Sequence, residues 1–288
     1  MVALRYECII LILILTIRSS CGVAIAYGQA YEPEFKKSEH LEIFNQAFNP
    51  TNWRQKSFFL RSQTWEQVKN FCLISEMDTP LSHYIIATIN DIANVYGKKY
   101  SLSRVKRADD CSGEHYSVII LLSQNPGFAE FWKIFQTLTE DAPSKDYAHF
   151  GSQVAFTLPL HNKLRGTFIF LNSTFGLAHP DRDFRTSIWL EQLLQALSGG
   201  RDIKTSKIIS MLGEDHNVNS YPDWYKKNPR GFCQFDFMIL ELVLNGNKYF
   251  NGRSFNTYYN YFENHYDELK ATVKQRQKSL QHLADPRC

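Results

Sequence analysis

The chain has 288 residues, of which 44% are hydrophobic and 21% are charged, a composition typical of globular proteins. Its formal net charge of +3 is too small to indicate binding to nucleic acid or attraction to a membrane surface. Residues 27–288 are enough for one large domain or two small ones, and no stretch in them reaches the roughly 20 apolar residues of a transmembrane helix.

Residues 1–26 are predicted to be a secretory signal peptide. Arg5 gives a weakly positive start, residues 9–17 are apolar except for Thr16, and Ala24-Ile25-Ala26 is a small-x-small cleavage pattern. The apolar run has about half the roughly 20 residues of a membrane span, and an uncleaved anchor is the alternative interpretation. We therefore expect a periplasmic or secreted protein without a transmembrane span after cleavage.

Four cysteines remain after this segment: Cys72, Cys111, Cys233 and Cys288. An even number in an oxidising compartment permits two disulfide bonds, for which three connectivities exist. We predict the pairs Cys72–Cys111 and Cys233–Cys288; four buried free thiols are the alternative. Closing a loop of about 40 residues stabilises a fold by roughly 4 kcal/mol in the chain-entropy treatment.

The first predicted element after the signal is a partly helical N-terminal extension, residues 27–77. Its apolar residues are spaced for one face of a helix: Phe35, Leu41, Ile43, Phe44 and Phe48. The core domain is then predicted to begin at Asp78-Thr79-Pro80, a helix start with a cap and a proline in the first turn. Gly97 is expected to end this helix.

Further elements follow in alternation. Strands are predicted at residues 100–105, 116–123, 154–160 and 166–172, the second of them strongly apolar, as in a buried central strand. Helices are predicted at residues 128–138, 188–197, 236–244 and, as one long element, 258–283. This order indicates an α+β fold, in which a core domain of residues 78–245 has helices packed on one side of a small mixed sheet. Residues 246–288 would form a C-terminal helical segment.

The predicted helix at residues 188–197 has the pattern of a zinc-protease helix without its histidines. A zincin helix carries two His one turn apart, with a Glu directly after the first. Here Glu191 and Gln195 occupy the two His positions, and Gln192 occupies that of the Glu. Zinc in proteins favours thiolate, imidazole and carboxylate, so an amide is a poor substitute. The pattern indicates a protease-like scaffold and argues against protease chemistry.

This region also resembles an uncharacterised family of exported proteobacterial proteins, a domain of unknown function with some putative lipoproteins among its members. The family's helix reads approximately Glu-Glu-Leu-x-Gln-x-Leu-Gly and is followed by an Asn-Asp pair. The matching positions here are Glu191, Leu193, Gln195 and Leu197. The strand at residues 166–170 and the helix from residue 235 to 240 resemble the family's Gly-led strand and Asp-x-x-x-Leu helix.

Two positions depart from this family. Gln192 replaces the second Glu, and the nearest counterparts of the Asn-Asp pair are residues 213–215 or Arg201-Asp202. The resemblance, which covers residues 78–245, implies export and a zincin-like core, and it implies no substrate.

One metal-binding constellation can be drawn from the sequence. His179, Asp181 and Asp183 precede the helix and, with Glu191, could offer nitrogen and oxygen ligands. Asp183 or Thr186 is equally suited to cap the helix, since Asp and Thr are favoured there. We take capping as the simpler interpretation and predict neither a bound metal nor a cofactor. No nucleophile elbow, phosphate-binding loop or dinucleotide fingerprint occurs in the sequence.

The C-terminal region is rich in aromatic and basic residues. Five Tyr and three Phe lie between residues 249 and 266, and the density suits either a carbohydrate or peptide platform or a helix that packs on the core. Packing is the simpler interpretation. Lys270, Lys274, Arg276 and Lys278 are predicted to form a solvated basic face.

Three functions are consistent with these patterns. The first is a non-catalytic, metallopeptidase-like binding or accessory module whose partner is an unknown protein or envelope component. The second is a hydrolase that uses Glu191, with a metal or water held near His179 and Asp183. The third is assembly through the C-terminal helix. An enzyme predicts Glu191 in an open cleft beside another acidic or imidazole group, whereas a binding module predicts that Glu191 is buried and hydrogen-bonded.

Overall fold

The computed structural model describes eleven stretches of the chain, and all statements below concern these: residues 35–49, 70–75, 78–111, 117–123, 155–160, 166–172, 182–205, 207–214, 226–246, 249 and 254–288. Apart from Arg287, they belong to one unit of structure.

A five-stranded sheet with the order β2-β1-β3-β5-β4 organises the fold. Its strands are β1 (Asn70–Ile74), β2 (Ser101–Val105), β3 (Ser117–Ser123), β4 (Ala155–Leu160) and β5 (Gly166–Asn172). Four strands run parallel, and β4 pairs antiparallel with β5 at one edge. A separate parallel pair joins β6 (Ile203–Lys204) to β7 (Gly213–Glu214).

The four predicted strands are confirmed, and β1 was missed. Val118 to Leu122 in β3 are all buried, which is why these five consecutive positions are apolar. Strand β1 lies between β2 and β3, inside what the sequence analysis treated as an N-terminal extension. The five residues of β1 follow a polar stretch and are too few to show an apolar period, so the sequence does not reveal that this strand is buried on both faces.

Six α-helices occur among the described residues. They are α1 (Lys37–Phe48), α2 (Pro80–Tyr96), α3 (Arg182–Ser198), α4 (Gln234–Asn245), α5 (Phe255–Asn264) and α6 (Tyr266–Ser279). Helix α2 begins and ends as predicted: the Ser82 amide donates to Thr79 Oγ1 at 3.1 Å, and Gly97 closes the helix with a φ of 65°. None of the described helices has the length and apolar character to cross a membrane.

The prediction of one long C-terminal helix was wrong. His265 (φ −116°, ψ 25°) separates α5 from α6, and a 3₁₀ turn at Gln281–Leu283 follows α6. The His265 ring stacks on Tyr261 at 4.5 Å and its Nδ1 lies 2.9 Å from Glu268 Oε2. Such local side-chain bonds compete with a regular helix and are not visible in the apolar period. The helix predicted at residues 128–138 lies outside the described residues.

One apolar cluster joins all six helices to one face of the sheet. Its sheet residues alternate along the strands, with Phe71 and Leu73 from β1, and Val118 and Ile120 from β3. Every residue of α4 from Phe235 to Asn245 is buried, so this helix is the centre of the helical layer. The described helices therefore pack on one side of the sheet, as predicted.

Both predicted disulfide bonds are present. Cys72 of β1 bonds Cys111, at the end of a 3₁₀ turn that follows β2, with the Cα atoms 5.8 Å apart. Cys233, immediately before α4, bonds the last residue, Cys288, with the Cα atoms 5.1 Å apart. One bond fastens the sheet edge, and the other fastens the chain end to the central helix.

A buried ion pair attaches α6 to the core. Glu241 of α4 is fully buried and accepts a hydrogen bond from Arg276 Nε. Its Oε1 also accepts from Asn245 Nδ2 at 3.0 Å and from the Tyr249 hydroxyl at 2.5 Å. The guanidinium carbon lies 4.7 Å from the centre of the Tyr96 ring in α2. Arg276 therefore belongs to the interior, not to the basic face predicted for it.

Removing only one charge of this pair should be more harmful than replacing both. We expect Arg276→Met to lower the free energy of unfolding by about 3–5 kcal/mol, because it leaves the Glu241 carboxylate buried without a countercharge. The Glu241→Gln/Arg276→Met double variant should lose distinctly less, since Gln keeps an acceptor for Asn245 and Tyr249. Urea unfolding at neutral pH measures both losses, and equal losses would contradict this account of the pair.

His40 is a buried titratable group that joins the first and last helices. Its Nδ1 lies 2.8 Å from the Tyr266 hydroxyl, and the rings of Phe35, Phe235 and Tyr266 surround it at 5.4–6.0 Å between centroids. Burial lowers the pKa of His40 to about 4. The imidazole is consequently neutral in the folded protein at pH values where an exposed histidine would be protonated.

Asp236, in the first turn of α4, is perturbed in the opposite direction. It accepts hydrogen bonds from the Ser210 hydroxyl at 2.5 Å, the Met211 amide at 2.9 Å and the Cys233 amide at 2.8 Å. Burial outweighs these bonds and raises its pKa to about 7. The carboxyl thus holds the loop before β7 against the start of α4.

These two groups should give opposing pH dependences of stability. Between about pH 4 and 6.5 the unfolded chain binds a proton at residue 40 that the folded chain does not, so stability falls as pH falls. Between about pH 4 and 7 the folded chain binds the extra proton at Asp236, so stability falls as pH rises.

Single variants should expose each contribution. The free energy of unfolding of His40→Phe minus that of the wild type should increase by up to about 3 kcal/mol when the pH is lowered from 7 to 4. The corresponding difference for Asp236→Asn should increase by up to about 4 kcal/mol when the pH is raised from 4 to 7. Urea unfolding across this range measures both. Differences that do not vary with pH would show that these side chains titrate normally.

Candidate functional site

Helix α3, which carries the protease-like pattern, follows β5 and contacts β4, β5 and α4. It begins at Arg182, about two turns before the predicted start, so Asp183 and Thr186 are helical residues and the prediction that either caps the helix was wrong. His179 and Asp181 lie outside the described residues, as does the side chain of Asp183.

The two faces of α3 differ in burial. The core face includes Trp189, which is fully buried, and Leu193, which is 1% exposed. Glu191 and Gln195, one turn apart, are both partly exposed. Gln192, in the position of a zincin's general base, is only 4% exposed. The helix therefore presents the two ligand positions at its accessible face and keeps the base position inside.

Gln195 connects two carboxylates. Its Nε2 donates to Glu191 Oε1 at 3.3 Å and also to Asp202 Oδ1. Both hydrogens of the amide nitrogen are thereby engaged, and only its oxygen is left to accept. The carboxylates of Glu191 and Asp202 are held no more than about 6 Å apart by these two bonds. Their mutual repulsion is offset by the amide dipole between them.

The turn after α3 puts Asp202 in this position. Gly199 has a φ of 66°, and its amide donates to the Gln195 carbonyl at 2.7 Å, which closes the helix. A Cβ at Gly200 would lie 2.7 Å from side-chain atoms of Leu212 and Phe48, so a larger residue would require these two buried side chains to shift. Arg201 Nε then donates to the carbonyl of Gln46 at 2.8 Å. The chain is fixed on both sides of Asp202.

Glu191 meets neither of the two predicted criteria in full. It is only partly buried, which a binding module does not predict, whereas a second acidic group, Asp202, is brought near it, as an enzyme predicts. Among the described residues no three His, Cys, Asp or Glu side chains are grouped so as to hold a metal ion. The site as described can bind hydrogen-bond donors or a cation at its two carboxylates, and it offers no pre-formed zinc centre.

The C-terminal aromatic residues mostly serve the core. Tyr258, Phe262 and Tyr266 are buried, whereas Tyr249 and Tyr261 stack with ring centroids 5.3 Å apart at the surface. Burial raises the pKa of Tyr261. The platform interpretation is therefore restricted to a short stack of Tyr249, Tyr261 and His265.

No protein-family model matches the chain, and neither the curated proteins nor the solved structures contain a match to it. The resemblance drawn from α3 and its neighbours stays a prediction.

Removing the bridging amide should destabilise the fold modestly. We expect Gln195→Leu to lower the free energy of unfolding by about 1–2 kcal/mol, because Glu191 and Asp202 lose a shared donor and repel each other. Adding Glu191→Gln should restore part of this loss by removing one charge. Urea unfolding at neutral pH tests both, and an unchanged stability of Gln195→Leu would mean that the bridging amide contributes nothing to folding.

Proposed function

We propose that the chain is an exported, non-catalytic binding or accessory module of the cell envelope, built on a zincin-like scaffold without zinc ligands. The bridge from Glu191 through Gln195 to Asp202 is the observation that carries this proposal. Glu191 and Gln195, which stand at the two histidine positions of a zinc-protease helix, are hydrogen-bonded to each other.

The arrangement of α3 supports the scaffold. A hairpin of β4 and β5 leads into α3, which packs against both strands and against the buried α4. A zinc-protease helix needs such a rigid support, because two ligands one turn apart bind a metal only when their helix is fixed.

Burial of Gln192 supports the loss of catalysis. A general base must reach a water in the cleft, and a neutral amide cannot take its proton. At 4% exposure, Gln192 is turned to the interior instead.

Two disulfide bonds support export, since such bonds persist in oxidising compartments. This agrees with the signal peptide expected at residues 1–26. The proposed binding partner is an unknown protein or an envelope component.

The hydrolase alternative is favoured by one observation, the presence of Asp202 as a second carboxylate near Glu191. A metal or water held by Glu191, together with His179 and Asp183, would give a different active centre. In its metal-bound form, this hydrolase requires metal content that depends on Glu191.

Metal analysis separates the two. We expect the mature protein, prepared from residue 27 without chelators, to contain far less than one zinc per chain by inductively coupled plasma mass spectrometry, and Glu191→Ala to be no different. Near-stoichiometric zinc that Glu191→Ala abolishes would overturn the proposal and favour the hydrolase.

Restoring the ligands tests the scaffold itself. If α3 is zincin-like, the Glu191→His/Gln195→His double variant should bind one zinc with at least about a hundredfold gain in affinity over the wild type, because two imidazoles and the Asp202 carboxylate complete three protein ligands. Adding Asp202→Ala should remove most of the gain. Equal zinc affinity of the double variant and the wild type would refute a zincin-like geometry.

A further inference from the structure

Strand β2 is the edge of the sheet opposite β4, and among the described residues its only strand neighbour is β1. The Ser75 amide donates to the Val105 carbonyl at 3.0 Å, so the backbone groups of Val105 point toward β1. Successive residues of a strand point their N–H and C=O groups to opposite sides. Leu102 and Arg104 therefore direct theirs outward, where they can pair with another strand.

The segment around this edge is strongly basic. Residues 98–110 contain five basic and two acidic side chains, a net charge as large as that of the whole 288-residue chain. Lys99, Lys106 and Arg107 are exposed. The Asp78 carboxylate near the edge is bonded to both Arg104 and His83. An approaching segment would meet a field that favours negative charge.

The edge is also held in place before anything binds. Its pairing with β1 covers all five residues of β2, and the Cys72–Cys111 bond ties the following 3₁₀ turn to β1. A preformed edge lowers the entropic cost of binding, since only the incoming segment must be ordered.

We propose that the outer edge of β2 docks an extended acidic segment of a partner protein, which adds to the sheet as a further strand. The charge argues against a second copy of this chain, because two such edges would bring two basic segments together. Basic side chains on an edge can also serve only to prevent aggregation, and the test must distinguish that role. The inference deepens the binding role proposed above and rests on it.

The first test uses synthetic peptides and the mature chain. A labelled peptide of about eight residues, alternating Glu with Val or Thr, should bind in fluorescence anisotropy, and the same peptide with Lys for Glu should not. Raising the salt from about 0.02 M to about 0.3 M should weaken binding by about tenfold or more. Equal binding of both peptides, or no binding of the acidic one at low salt, would overturn the proposal.

A matched pair of variants tests the backbone contact. Arg104→Ala and Arg104→Pro both remove the guanidinium, but only the proline removes the outward N–H, and edge strands tolerate proline where the N–H faces solvent. Arg104→Pro should bind the acidic peptide about tenfold more weakly than Arg104→Ala, with both folded by circular dichroism. Equal affinities of the two folded variants would overturn strand addition.

Charge reversal completes the design. Lys99→Glu/Lys106→Glu should abolish binding of the acidic peptide. The same two substitutions should leave zinc affinity unchanged, both in the wild type and in Glu191→His/Gln195→His. If the wild type binds no peptide while Lys99→Ser/Lys106→Ser self-associates in sedimentation, the basic residues only guard the edge and the proposal fails. If the acidic peptide does not bind but the zinc measurements agree with expectation, the proposal for β2 fails and the proposed scaffold remains. If the wild type holds one zinc per chain that depends on Glu191, the non-catalytic proposal fails and the proposal for β2 is unaffected.

Discussion

The complete burial of α4 is the constraint on which the rest of the fold depends. An apolar helix that is covered on all sides needs partners in every direction, and here α2, α3 and α6 supply them. Because α4 also carries Asp236 and Glu241, its burial forces other segments to satisfy two carboxyl groups. Asp236 fixes the loop at Ser210, and Glu241 fixes α6 through Arg276. The polar network follows from the apolar packing.

The site on α3 depends on the same layer. Trp189 and Leu193 bury one face of α3 in the common apolar cluster, so Glu191 and Gln195 are set by packing that lies behind them. The glycine turn fixes Asp202 through contacts with α1, since Phe48 and Gln46 both touch it. Helix α1, which the sequence placed in a separate extension, thus forms part of the support of the site.

Local signals explain what the sequence could predict. Thr79, Pro80 and Gly97 bound α2 because capping is a local interaction, and β3 was visible because burial on both faces leaves only apolar residues. The contact between Gln195 and Asp202 could not be predicted, since it needs a left-handed Gly199 and the close fit of Gly200 against another helix. The break between α5 and α6 at His265 depends on side-chain hydrogen bonds, which the spacing of apolar residues does not reveal.

The two proposed sites have different chemical character. The site on α3 and the turn after it has two carboxylates, whereas β2 is surrounded by basic residues. The residues to be varied at the two sites lie on different elements, α3 with its following turn and the segment around β2, so each role has its own set of variants. The proposed loss of zinc-protease chemistry and the proposed binding at β2 can therefore be tested separately in one chain.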